Sequence, residues 1–317
     1  MNVFITGGAG FVGSHMAHRM AADGHRVTAY DNLSLGRRAF LADLIDAGTC
    51  TLVEADLLDR DRLADAMAGY DLIVHLAANS DIPRGVADPQ VDLEQGVVAT
   101  FNVLEAMRSH GLTRLLFASS SVVYGEAETI PTPEDYGPLL PISYYGASKL
   151  AGEGLVTAYG HNAGIRPWIY RFGNIVGPHA THGVILDFVH KLQSDPTRLE
   201  VLGDGRQAKP YLHVTDCVDG MLFGFEQADA PVNLFNLAVD DALDVASIAD
   251  IVVEAMGLSD VAIEYTGGDR GWPGDVPRVG LDPGRMADLG WTASMTSREA
   301  VERAAREIVA QEAGSAS

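Results

Sequence analysis

The feature that most constrains this chain is a regular beat in its first half. Short β-rich, largely apolar runs stand at Asn2–Thr6, Arg26–Tyr30, Cys50–Glu54, Asp71–Leu76, Arg114–Ser119 and Arg166–Arg171. Between them lie helical patterns at Gly10–Asp23, Arg60–Ala68, Val91–His110 and Tyr144–Gly160. Strands that alternate with helices build βαβ units around a parallel sheet. The run Asp71–Leu76 is apolar almost throughout, as a strand covered on both faces must be. The expected architecture is an α/β, doubly wound parallel sheet over residues 1–171. After Arg171 the beat stops, and Gly, Pro and His crowd residues 173–183. A smaller α/β lobe that binds substrate is expected over 172–317. Segments near 211–240, namely Tyr211–Val214 and Val232–Asn236, are expected to return to the large sheet.

Composition narrows the partners. A chain of 317 residues, 47% hydrophobic and 21% charged, can bury an ample core. A formal charge of −21 argues against nucleic acid or an anionic membrane as partner, so an anionic ligand would need locally gathered cations. Two cysteines suggest neither a disulfide framework nor a metal site, and a reducing cytoplasm fits them. No signal peptide is read at the N-terminus, and no apolar run reaches the ~18 residues of a membrane span.

The stretch "TGGAGFVGSH" places Gly7, Gly10 and Gly13 directly after the first strand and at the head of a helix. Glycines there let the backbone approach a pyrophosphate, and the helix N-terminus offers free N–H groups and positive potential. Asp31 ends the second strand, where a carboxylate bonds adenosine ribose hydroxyls and repels a 2′-phosphate. The predicted domain is therefore of Rossmann type and its cofactor NAD rather than NADP. Arg37 and Arg38 lie beyond the turn and read as surface residues. Asp56, after the third strand, is placed near the adenine edge or, alternatively, at a helix N-cap.

"SYYGASK" adds chemistry. Tyr145 and Lys149 are four apart on a predicted helix and share a face, whereas Tyr144 points roughly 100° away. A phenol with a pKa of ~10 needs a nearby cation to act as a base at neutral pH. Lys149 supplies one, and an oxidised nicotinamide a second. Ser119, Ser120 and Ser121 sit at the C-terminal end of a strand, where open α/β sheets bind ligands. A serine there can bridge a substrate hydroxyl and the Tyr145 oxygen.

The glycine triplet, "SSSVVYG", Tyr145-x-x-x-Lys149 and "RFGNIVGP" together resemble the extended short-chain dehydrogenase/reductases that act on nucleotide sugars. "VLGDGRQAKPYLHVTDCVDGM" and "GDRGWPGDVPRVGLD" are similar to their UDP-galactose (UDP-glucose) 4-epimerase branch. Counting back from Tyr124-Gly125, the resemblance puts the catalytic serine at Ser120. It implies that Phe11, Val12, Asn32, Leu57, Leu76, Ala77, Ala78, Ser119 and Phe172 line the NAD site, with Gly7, Gly10, Gly13, Asp31, Asp56, Tyr145 and Lys149. For a nucleotide-sugar it implies Ser120, Ser121, Tyr145, Asn174, His182, Gly183, Val184, Val201 and Tyr211. Lys209, Arg270 and Asp275 would hold the diphosphate and ribose, and Arg206 is a further cation suited to a diphosphate. Two departures stand out: Gly96 replaces a frequent asparagine, and His179 replaces a frequent arginine after "GP".

The fate of the sugar once C4 is oxidised decides the function. The 4,6-dehydratases carry an Asp-Glu pair after the catalytic threonine, and UDP-glucuronate decarboxylases a glutamate at the second of those positions. Here the two positions are Ser121 and Val122, and a valine transfers no proton. The expected activity is an isomerase one, NAD-dependent interconversion of UDP-glucose and UDP-galactose through a transient 4-keto sugar. The alternatives are 4-epimerisation of UDP-glucuronate or a UDP-N-acetylhexosamine, a related dehydratase or reductase, and a non-catalytic NAD sensor. The resemblance also implies a homodimer through the helices at 91–110 and 144–160, whose apolar faces serve equally well as core.

Overall fold

The structure is a computed structural model that describes residues 1–271 and 276–315. Its strands are β1 (Asn2–Thr6), β2 (Arg26–Asp31), β3 (Cys50–Glu54), β4 (Leu72–His75), β5 (Arg114–Ser120), β6 (Arg166–Phe172), β7 (Asn174–Val176), β8 (Arg198–Val201), β9 (Ala208–Lys209), β10 (Tyr211–His213), β11 (Asn233–Leu237), β12 (Leu243–Asp244) and β13 (Ala262–Tyr265). Seven of them form one sheet in the order β11-β6-β5-β4-β1-β2-β3. The pairs β1–β2, β2–β3, β1–β4 and β4–β5 are parallel. Strand order reverses between β1 and β4, the crevice where doubly wound sheets bind ligands.

Burial follows from the pattern. Val3, Phe4 and Ile5 are all fully buried although they alternate in direction, so both faces of the sheet are covered. On one face Phe4, Tyr30 and Ile73 pack with Leu63, Met67, Val103 and Leu104. The helices of this region are α1 (Phe11–Ala22), α2 (Ala42–Asp46), α3 (Arg60–Ala66), α4 (Ile82–Ala87), α5 (Pro89–Asp92), α6 (Ala99–Ser109) and α7 (Tyr144–Ala163). The chain separates into two compact units, the first comprising 1–125, 137–171 and 221–235.

The second unit, 126–136, 172–220 and 236–317, has its own core. It holds α8 (Val184–Ser194), part of α9 (Val214–Gln227), α10 (Val245–Ala255), α11 (Gly284–Leu289) and α12 (Ser297–Ser315). Ile185, Phe188 and Val189 of α8 meet Ile248 and Val252 of α10 and Val301 and Ala305 of α12. Strands β8 and β13 pair in parallel beside them. The expectation that both Tyr211–Val214 and Val232–Asn236 return to the large sheet is corrected by the strand order. β11 takes the open edge of β6, and β10 instead pairs in parallel with β7. One free edge admits one strand.

The helical pattern at 91–110 is also divided. A π-helical segment, Leu93–Val98, stands between α5 and α6. Two contacts centre on Gly96. Thr100 Oγ1 donates to its carbonyl at 2.5 Å, and a Cβ at Gly96 would lie 2.5 Å from Ser148 Oγ on α7. Such back-bonding and close approach are found where a helix departs from regular pitch. The glycine at the position of the family's asparagine thus has a packing reason. Among the described residues no helix is long and apolar enough to cross a membrane.

Replacing Gly96 with Asn forces the π segment away from Ser148. We expect destabilisation of about 1–3 kcal/mol, the range for overpacking, read as a lower midpoint in urea unfolding.

Candidate active site

The SYYGASK stretch opens α7. Ser143 is its N-cap, accepting from Gly146 N–H at 3.0 Å. Glycines then let the helix lie close: a Cβ at Gly146 would come 2.9 Å from the Val122 carbonyl, and one at Gly152 2.8 Å from the Phe117 ring. That proximity brings Tyr145 and Lys149 to the carboxyl end of β5. Tyr144 is 54% exposed and points away, while Tyr145 is half-buried and hydrogen-bonded with Ser120.

The structure gives the three serines different partners. Ser119 is buried and donates to Glu153 Oε1 at 2.5 Å. Ser120 is half-buried, caps the short 3₁₀ turn Ser121–Tyr124, and carries the bond with Tyr145. Ser121 begins that turn and is half-buried.

Lys149 is buried, donates to the Ala118 carbonyl at 2.7 Å, and stands 5.8 Å from the Tyr145 ring centre. Burial pulls its ammonium down to about 8, while the carboxylates of Glu153 and Asp92 hold it up. Burial drives the Tyr145 phenol up, the Asp92 charge drives it further, and the Ser120 bond opposes both. A second cation, Arg171, is buried beneath the site. Its guanidinium holds Glu153 through two bonds of 2.9 and 2.7 Å and lies over the Tyr124 ring. Glu153 went unread in the sequence, although it continues the Tyr145-Lys149 stripe by four more residues.

A further buried chain runs under the sheet's end. Ala77 N–H donates to Thr6 Oγ1, which contacts His75 Nδ1 at 2.6 Å, and His75 Nε2 contacts Thr100 Oγ1 at 3.0 Å. Thr100 gives its only hydroxyl proton to Gly96, so it must accept from His75 Nε2–H. His75 is therefore the neutral Nε2–H tautomer, in keeping with burial and Lys149 pushing its pKa down to about 3. Polar side chains under strand ends give no periodic signal, so this set too was not legible in the sequence.

The glycine turn fits the diphosphate of a dinucleotide. Gly7 has φ +67°, and a Cβ there would lie 2.8 Å from Ala77 N; a Cβ at Gly13 would run into the Gly7 carbonyl. Gly10 caps α1 without any side-chain acceptor, which leaves the first-turn N–H groups of Phe11, Val12 and Gly13 for an anion. Leu76, Ala77 and Ala78 are half-buried just beyond β4, alongside Gly7. Asp31 is buried; its Oδ2 accepts from Ala9 N–H at 3.0 Å and its Oδ1 from Leu33 N–H at 2.8 Å. Burial raises its pKa and these two bonds lower it. It thus ties the turn to the loop after β2, and each oxygen keeps a lone pair for a ribose hydroxyl. Asn32 donates to Asp56 Oδ2 at 2.8 Å. Asp56 caps no helix, since Asp59 caps α3, and its Oδ1 accepts from Leu58 N–H. Leu57 is buried in the core, and Arg37 and Arg38 are exposed. Phe172 ends β6 half-buried.

Comparison with known proteins agrees with this geometry. The NAD dependent epimerase/dehydratase family matches residues 3–238. The chain belongs to that family. Its cofactor is NAD, which residues of the glycine turn, Asp31 and the β4 and β5 ends would hold. The UDP-glucose 4-epimerase of Mycolicibacterium smegmatis is 31% identical, covering 96% of this chain and 97% of that one. A solved UDP-galactose 4-epimerase is 40% identical, with TM-score 0.88 over 98% of this chain and 99% of that one. The Thermus thermophilus UDP-glucose 4-epimerase, solved with NAD, is 28% identical with TM-score 0.86, over 97% and 98%.

The residues expected to hold a nucleotide-sugar fall largely in the second unit. Asn174 of β7 pairs in register with Tyr211 of β10, and Lys209 of β9 with Leu243 of β12. Gly183, with φ +116°, is the N-cap of α8, which Val184 begins; His182 beside it is exposed. Arg206 is exposed, and Arg270 pairs with Glu126 at 2.5 Å. Val201 is fully buried in the unit's core, so packing already occupies its side chain. Asp275 lies outside the described residues. Among the described residues no group of three or more His, Cys, Asp or Glu could hold a metal ion.

Tyr145→Phe should lower turnover by ~10²-fold or more, the scale of a lost general acid–base, while Tyr144→Phe leaves it within a few-fold. Equal losses would remove the assignment of Tyr145. The cationic form of Lys149 predominates below its pKa, so activity should decline as pH rises past about 8. A profile flat through that range would count against Lys149 as the cation that supports the base.

Proposed function

We propose that this enzyme is a UDP-sugar 4-epimerase that interconverts UDP-glucose and UDP-galactose through a transient 4-keto sugar. The observation that carries the reading is the composition of the turn after Ser120. Ser121-Val122-Val123-Tyr124 holds no carboxylate of the kind the dehydratases place there for proton transfer at C5 and C6. With no route to dehydration or decarboxylation, return to C4 is the outcome these residues permit. The matched 4-epimerases support the same reading.

The work is divided among a few side chains. Tyr145 takes the proton of the C4 hydroxyl and returns it to either epimer. Ser120 bridges that oxygen and the phenol, holding both in line. Lys149 supplies the positive charge that favours the phenolate. The nicotinamide, when bound, supplies reversible two-electron chemistry at C4. Glu153, Arg171 and Ser119 keep Lys149 and the end of β5 in place, and NAD stays bound through the cycle. Asn174, Lys209, Arg206 and Arg270, with Asp275, are read as ligands of the nucleotide and diphosphate. A homodimer through the helices of 89–109 and 144–163 belongs to the same reading. It is supported by the exposed apolar side chains of Leu93 and Val98.

The test is product analysis. Purified protein incubated with UDP-glucose and no added NAD should yield UDP-galactose by NMR, with no net NADH absorbance. Parallel incubations with UDP-glucuronate and UDP-N-acetylhexosamines rank the sugars. Stoichiometric NADH consumption or release of a dehydrated sugar would overturn the reading.

A further inference from the structure

One buried carboxylate has no part in the proton transfer assigned to Tyr145, Ser120 and Lys149. Asp92, the last residue of α5, is 2% exposed. Its Oδ1 accepts from Asn79 Nδ2 at 3.0 Å, and its Oδ2 has no hydrogen-bond partner among the described residues. Gly85 makes room for it, since a Cβ there would run into Oδ2. Asn79 gives its amide also to the Asp81 carbonyl, and its own Oδ1 is likewise unpartnered. A carboxylate held by a single neutral donor, in surroundings of low dielectric, must find its compensation at longer range.

That compensation lies on α7. The charge of Asp92 acts on both Tyr145 and Lys149, and Lys149 acts on Asp92 in return. The helix lies against this segment at the Gly96–Ser148 contact. The titratable groups that act on the pair are Asp92, Glu153 farther along α7, and His75 from β4. Glu153 already has Arg171 on both of its oxygens, and His75 is neutral. Arg171 thus serves Glu153 directly, while burial raises the pKa of Asp92 and the Asn79 bond and the Lys149 charge lower it.

We propose that Asp92 is a positioning residue for the Tyr145–Lys149 pair, the buried counter-charge that keeps the Lys149 ammonium in place. The proposal rests on Tyr145 being the proton-handling group. Asp92 makes no hydrogen bond to Tyr145 among the described residues and acts through its charge. Its neutralisation has a definite sign on Lys149. Without the carboxylate, Lys149 loses its proton at lower pH, whereas on Tyr145 the lost like charge and the weakened cation oppose each other.

Asp92→Asn is nearly isosteric and still accepts from Asn79. In this variant the alkaline decline of kcat should move to lower pH, by ~0.5 unit or more. The proton of Lys149 is read independently in the holoenzyme, as the NMR pH titration of its isotope-labelled side chain, assigned with Lys149→Arg. It should move in the same direction. This second readout needs no sugar, so a failed substrate assignment leaves it intact. A decline and a titration that superimpose on wild type, with the variant folded, would overturn the proposal. If Asp92→Asn does not accumulate as folded protein, Asn79→Ala serves instead. Removal of the donor favours the neutral carboxyl and should give the same shift, and an unmoved profile there would equally overturn the proposal.

Discussion

The arrangement of the first unit depends on the cost of burying one ammonium. Lys149 is almost wholly withdrawn from solvent, where an uncompensated charge loses several kcal/mol of hydration. One direct hydrogen bond, to the Ala118 carbonyl, ties it to β5. The charges of Glu153 and Asp92 hold it cationic from farther off, and the rings of Phe117 and Tyr145 flank it. Glu153 is committed to Arg171 and Ser119, so the site is a connected set rather than a dyad placed on a helix. Burial that would neutralise an isolated lysine is here set against two carboxylates, and the resulting pKa of about 8 leaves the cation in place near neutral pH.

Close backbone approach is what lets so few atoms do this. Gly146 and Gly152 bring α7 against the end of β5, and Gly96 brings the π segment against Ser148. Ser148 in turn donates to the Tyr145 carbonyl at 2.8 Å, so the crowded contact bears on the backbone of the reacting residue. Gly7 and Gly13 perform the same service for the first turn, where β1, α1 and the residue after β4 converge. Both halves of the site, for dinucleotide and for proton, sit at carboxyl ends of the strand run β5-β4-β1. In a doubly wound sheet that is where helix starts and free N–H groups gather.

How much of this the sequence disclosed varies with the kind of interaction. Periodicity located all six strands of the first half and the one helix that carries both Tyr145 and Lys149, because both faces of the sheet are apolar. Helical spacing also separated Tyr145 from Tyr144 correctly by direction, the exposed ring being Tyr144. Contacts that depend on which edge is free left no trace in local pattern. β10 reads as well as β11 for a strand of the large sheet, and only competition for the edge of β6 decides between them. The π segment was hidden for a related reason: Gly96 meets Ser148, about 50 residues away, and Thr100 meets His75 on β4. Buried polar groups were the least legible. Glu153, Arg171, His75 and Asp92 are ordinary helical or strand residues by type, and their meaning comes from neighbours distant in the chain.

The separation of charge from contact in this site has a consequence for how such enzymes diverge. On the proposed mechanism, the residues that touch the reacting oxygen, Tyr145 and Ser120, are constrained by geometry to a few atoms. Those that set when the phenol ionises act over longer distances, so a carboxylate in their place tolerates a change of scaffold. Gly96 illustrates this freedom. A side chain that could reach toward the site is absent, the helix swells into a π turn, and Asp92 stands four residues earlier on the same segment with its charge on Tyr145 and Lys149. On the proposed mechanism the phenol is protonated for half of the cycle and ionised for the other half, and the field around it must keep the two states close in free energy.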